Sequence, residues 1–164
     1  MQTHIINVKF HHHNINTTVT SDSSIVIQFL EEIWPNEKPL LIGLDTEWLI
    51  IPKADCVNDE PNKIAIIQIG GDIHRLSIDH NISVARTSEL QDTARDHLKQ
   101  NSTYGLGLKN VSQGVLGLTM AKHSDDGKFH QNWGDKDLNS LHINYATIDA
   151  CVSYMLGQIF NIKP

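Results

Sequence analysis

The stretch Pro39-Leu40-Leu41-Ile42-Gly43-Leu44-Asp45-Thr46-Glu47-Trp48 begins as an unbroken apolar run and ends on two carboxylates two positions apart. A short continuous apolar run bounded by proline is the pattern of a central strand buried on both faces. Side chains two apart on a strand point the same way, so Asp45 and Glu47 leave the core together. Neighbouring carboxylates repel unless a cation lies between them. Hard divalent ions such as Mg²⁺ take oxygen ligands of this kind and bind substrate phosphate. Alone the motif is weak, because a strand end emerging into solvent with acids on its rim has the same pattern.

Residues 49–62 carry two prolines, acids and asparagine, and read as a loop. Lys63-Ile64-Ala65-Ile66-Ile67-Gln68-Ile69 then gives a second buried strand. Upstream, Ile6, Val8 and Phe10 alternate onto one face, and Ile15–Thr20 is rich in β-branched residues. Together they predict a β-hairpin turning at His11-His12-His13. Three histidines suit a transition metal, but in a strand–turn–strand pattern a solvated turn is the better reading. Ser21–Ser24 offers caps for a helix over Ile25–Ile33, stopped by Pro35. Beyond Gly70-Gly71 the pattern turns helical: Asp72–His80, Thr87–Leu98, Gly107–Leu116 with Leu108, Val111, Val115 and Leu116 on one side, and a last helix from Asn139 or Ser140 to Phe160. Strands first and helices after define an α/β or α+β layout.

The 164 residues suit a single domain over 1–164, and 40% hydrophobic with 20% charged side chains is ordinary for a globular protein. Cys56 and Cys151 form neither a disulfide framework nor a zinc pattern. No apolar run is long enough for a membrane span, and the start lacks the features of a signal peptide. The expectation is a nuclear or cytoplasmic protein with no membrane partner. A net charge of −6 counts against a module that holds nucleic acid by its phosphates alone. It is neutral toward an enzyme that gathers carboxylates around metal ions.

A second signal lies in Tyr145-Ala146-Thr147-Ile148-Asp149. Tyr145 and Asp149 share a helix face at i, i+4. A carboxylate among Ile143, Ile148, Ala150 and Val152 is costly without a partner. A Tyr–Asp hydrogen bond at a helix surface explains that pair taken alone; the two acidic motifs together favour a site.

Leu44-Asp45-Thr46-Glu47-Trp48, Ile67-Gln68-Ile69 and Tyr145-Ala146-Thr147-Ile148-Asp149-Ala150 resemble the DEDDy 3′–5′ exonucleases, and the plant-type Werner-like group most closely. Thr17-Thr18-Val19-Thr20, Gly107-Leu108-Lys109, Val115-Leu116-Gly117 and Asn132-Trp133 extend the likeness from about His4 to Phe160. The resemblance implies a ribonuclease-H-like mixed sheet flanked by helices. It also implies two-metal phosphodiester hydrolysis with Mg²⁺ or Mn²⁺, on a nucleic-acid single strand or recessed 3′ end. In it Asp45 would bridge two ions, Glu47 would hold one, Asp149 would complete the tighter site, and Tyr145 would orient the attacking water. Lys109, Arg86, Arg95 and Lys122 are candidates for gripping the nucleic-acid backbone.

Asp72, in Gly70-Gly71-Asp72-Ile73-His74-Arg75-Leu76, matches the family's second acidic motif, which also begins a helix. The family places a strand, a helix and a further strand between Ile-Gln-Ile and this aspartate. Here Gln68 lies only four residues before Asp72. Two placements of Lys63–Ile69 follow. Antiparallel to the Asp45 strand, its end is expected at the far edge of the sheet, about 20 Å from Glu47, with Asp72 out of reach of the metals. Parallel, it would stand in for a missing strand, since residues 49–62 are long enough for a crossover. The Ile-Gln-Ile pattern slightly favours the antiparallel place. Function divides accordingly between an exonuclease, its activity weakened or lost by the shortened middle, and a catalytically inactive paralogue that binds nucleic acid or protein. An incomplete, poorly folded product is the third possibility.

Overall fold

The computed structural model describes residues 3–33, 41–48, 64–68, 90–99, 107–121, 133, 135 and 137–162. Strand β1 (His4–Phe10) pairs antiparallel with β2 (His13–Val19), from His4 opposite Val19 to Phe10 opposite His13. The period-two pattern sets the burial: Val8 and Phe10 are buried, while Asn7 and Lys9 face solvent. The loop is only His11-His12, and His13 already belongs to β2. His11 adopts φ 51°, a left-handed conformation that histidine enters more readily than most residues. Its Nε2 lies 3.0 Å from the Thr119 carbonyl oxygen, and the His12 and His13 rings lie 4.0 Å apart, tilted by 39°.

Helix α1 (Ser23–Ile33) starts where Asp22 caps it. The Asp22 carboxylate accepts from the Ser24 amide at 2.9 Å and the Ser24 hydroxyl at 2.6 Å. These two bonds hold its pKa below the ordinary value. None of the helix is buried, and Val26, Ile27, Phe29, Leu30 and Ile33 are all exposed.

Strand β3 (Asp45–Trp48) pairs antiparallel with β4 (Ile64–Gln68), Asp45 opposite Gln68 and Glu47 opposite Ile66. The register shifts between Glu47 and Trp48, which leaves Ala65 as an extra residue on β4. Of the two placements open for this segment, the antiparallel one is present. Two expectations need correction. The ladder begins at Asp45 rather than at Leu40, and the apolar run before it is not buried on both faces, because Ile42 is 55% exposed. Residues 41–44 have no ladder partner among the described residues and lie instead against a helix.

That helix is α4, reached after α2 (Leu90–His97) and α3 (Leu108–Val111). A π-helical segment, Ser112–Leu116, continues α3 and ends at Gly117, whose φ of 69° suits glycine. The single long helix expected from Gly107 therefore changes pitch after Val111. Helix α4 (Ser140–Ile159) is capped by Asn139, whose Oδ1 accepts from the Leu141 and His142 amides at 2.9 and 3.0 Å. Phe10, Ala94, Val111, Met120, Val152 and Leu156 form the core between hairpin, short helices and α4, with Leu108, Val115 and Leu116 packed around it. The chain is thus mixed α/β, two small antiparallel ladders with helices, an architecture compatible with a shortened ribonuclease-H-like fold. Asp72–His80 and most of the stretch from Met120 to Trp133 lie outside the described residues.

Candidate active site

The close packing of residues 41–45 on α4 positions the site. A Cβ on Gly43 would collide with the Ala150 carbonyl oxygen, and would lie 2.5 Å from the Tyr154 amide nitrogen and 2.8 Å from the Tyr154 Cβ. Only glycine permits this approach of backbone to helix. Leu41 meets α4 at Gly157, where an added Cβ would stand 3.3 Å from the Leu41 Cδ2. The segment and the helix therefore run in opposite senses. Four residues of extended chain from Leu41 to Asp45 cover about 13 Å, which a helix covers in about nine residues. Counting back from Gly157 brings Asp45 level with the turn of α4 that carries Asp149. Both carboxylates are buried, Asp45 at 2% and Asp149 at 4% exposure.

The Tyr145 hydroxyl donates to the Asp149 carboxylate, one turn away on the same face, and this bond favours the ionised form. Burial opposes it and wins, raising the Asp149 carboxyl to about 7. A carboxylate in this condition gains from a cation nearby. The Thr17 and Thr147 hydroxyls lie 3.2 Å apart, so β2 is tied to α4 two residues before Asp149.

Glu47 lies two residues after Asp45 on β3, but its side chain lies outside the described residues, as do Asp72, Arg86 and Lys122. The register nevertheless corrects the distance expected for β4. Its end, Gln68, is not at the far edge of the sheet but directly opposite Asp45. The reason is that the ladder is short and closes at the site. Four residues span at most about 14 Å, so the antiparallel pairing does not by itself put Asp72 beyond reach. Among the described residues no group of three His, Cys, Asp or Glu side chains is placed to hold a metal.

Of the basic candidates, Lys109 is half-buried on α3. Arg95, on α2, pairs with Asp92 at 2.6 Å, one turn away on the helix surface. Sequence reasoning attached no function to His142, a departure from the family pattern, and gave Trp133 no part in the site. Both are buried against the start of the same helix face: Trp133 packs edge-on to His142 at 4.5 Å and lies 6.2 Å from the Tyr145 ring. The spacing 142, 145, 149 on one helix was the signal available for His142.

No family model matches the chain. A protein of Acanthamoeba polyphaga mimivirus named "Putative 3′–5′ exonuclease" is 26% identical over 187 positions, covering 87% of this chain and 45% of its own length. The chain spans less than half the length of that relative. The aligned span also exceeds the chain: 87% of 164 residues is about 143, so about 44 of the 187 positions have no counterpart here.

Proposed function

We propose that residues 1–164 form a 3′–5′ exonuclease-like domain of the DEDDy, Werner-like type, a metal-dependent hydrolase acting on nucleic acid. The observation that carries this reading is the crossing at Gly43, which brings the buried Asp45 and Asp149 to one level from a strand and a helix. The mimivirus relative supports it at the level of an exonuclease. The donor set fits Mg²⁺ or Mn²⁺, since both carboxylates offer oxygen alone, and Glu47 and Asp72 would add the same chemistry. Bound divalent ions would supply charge stabilisation at phosphorus and a water made nucleophilic at neutral pH. Asp45 and Asp149 would hold them, and Tyr145 would fix the orientation of Asp149 through its hydroxyl.

The test is thermal unfolding of the whole chain with and without millimolar Mg²⁺ or Mn²⁺. Ions that bind only the folded site stabilise by mass action. A rise of a few degrees is expected, and Asp45→Ala should remove most of it. An unchanged melting curve in the unaltered chain would sink the metal site. A second reading, a catalytically inactive paralogue that binds nucleic acid or a protein partner, is favoured by the roughly 44 aligned positions missing from this chain.

A further inference from the structure

Helix side chains lean toward the helix N-terminus, over the turn that precedes them. Asp149 therefore leans naturally toward Tyr145, but Tyr145 leans away from Asp149, toward His142. Something must stop the phenol from folding back if its hydroxyl is to stay on the carboxylate. The space in question is filled. Trp133, only 3% exposed, stands edge-on to the His142 ring at 4.5 Å and tilted 53° to the Tyr145 ring at 6.2 Å. His142 is itself 5% exposed, and its backbone is pinned by the Asn139 cap. Aromatic pairs at these separations attract and interlock.

We infer that Trp133 is a positioning residue of the candidate site: packed on His142, it walls off the N-terminal side of Tyr145 and holds the phenol hydroxyl on Asp149. This rests on the reading of Tyr145 and Asp149 as parts of the site, and it extends that reading to a residue outside the acidic motifs. A buried tryptophan that merely filled the core would stabilise the domain without affecting how strongly Tyr145 and Asp149 interact. A wall would govern that interaction.

The experiment is a double-mutant cycle on folding of the metal-free full chain, followed by urea unfolding at pH 8. The single variants are Tyr145→Phe and Asp149→Asn, combined in the double variant. A charge-assisted hydrogen bond should appear as a coupling of roughly tenfold in the unfolding equilibrium constant. Repeated in a Trp133→Leu background, the coupling should fall below about threefold, and Trp133→Phe, which keeps a ring, should restore most of it. Coupling that stays at the unaltered value in Trp133→Leu overturns the proposal. So does a coupling indistinguishable from unity in the unaltered background. If Trp133→Leu does not fold, His142→Leu replaces it: removing the ring that seats the indole must weaken the coupling, and an unchanged value again overturns the proposal. The cycle uses no substrate, so a chain without nuclease activity bears on the exonuclease reading alone.

Discussion

Asp149 makes the folded state sensitive to pH in a definite direction. Its carboxyl ionises near 7 in the fold against 3.8 as a free side chain, because burial outweighs the Tyr145 hydrogen bond. The folded chain therefore keeps a proton that the unfolded chain has already released. Stability from this group is complete below about pH 4, falls as pH rises, and is exhausted once pH passes about 7. The loss is at most roughly 4 kcal/mol. Urea unfolding of the metal-free chain at pH 5 and pH 8 should show it, and Asp149→Asn should flatten the difference. A pH dependence unaffected by that substitution would mean that another group is responsible. Gly43 is the second decisive residue. Gly43→Ala forces a methyl group into the backbone of α4, and overpacking of this kind costs about 1–3 kcal/mol. The same variant should also lose its response to Mg²⁺, since Asp45 can no longer sit level with Asp149; an unaltered response checks the crossing directly. At this scale the sequence was informative where a residue is chemically out of place. Asp45 and Asp149 stand out because acids rarely occupy apolar stretches. Gly43 and Trp133 do not, because their importance lies in what approaches them from distant parts of the chain.

Elements divide into those that local chemistry specifies and those that depend on partners. The hairpin and α4 belong to the first group. Alternation fixed the buried face of β1, and the Asn139 cap marks the start of α4. The change from α to π pitch after Val111 has no local signature; it falls where Val111 and Ser112 are both buried. Helix α1 was legible as a helix through the Asp22 cap and the stop before Pro35, and the structure leaves its apolar residues exposed. The difference is measurable. Phe29→Ser on α1 should change stability by less than about 0.5 kcal/mol, since the ring is 51% exposed. Leu156→Ala on α4, where the side chain is fully buried in the core, should cost about 2–5 kcal/mol. Denaturant midpoints of the two variants decide the matter, and a large loss at Phe29 would show that α1 is covered in solution.

For the whole molecule the question is whether the proposed exonuclease-like domain, shortened as it is, still cuts. Weak or absent activity is expected. The original geometric reason, an end of β4 too far from the site, does not survive the Asp45–Gln68 pairing. The stronger reason is support. About 44 positions of the aligned relative have no counterpart here, enough for a strand, a helix and a second strand with their loops. Two separate two-stranded ladders and an uncovered α1 are what the described residues present. Catalytic carboxylates must be held to within about 0.5 Å by the groups behind them. Loss of one properly placed electrostatic group costs roughly 10² to 10³ in rate. The check is to incubate the purified chain with Mg²⁺ or Mn²⁺ and with 3′-labelled and 5′-labelled single strands. Little or no stepwise shortening should be seen, even where the metal raises the melting temperature. Robust shortening from the 3′ end, abolished by Asp45→Ala, would overturn the expectation. Should Asp72→Ala abolish it as well, the four residues after Gln68 must carry that aspartate back to the metals, within the roughly 14 Å that four residues can span.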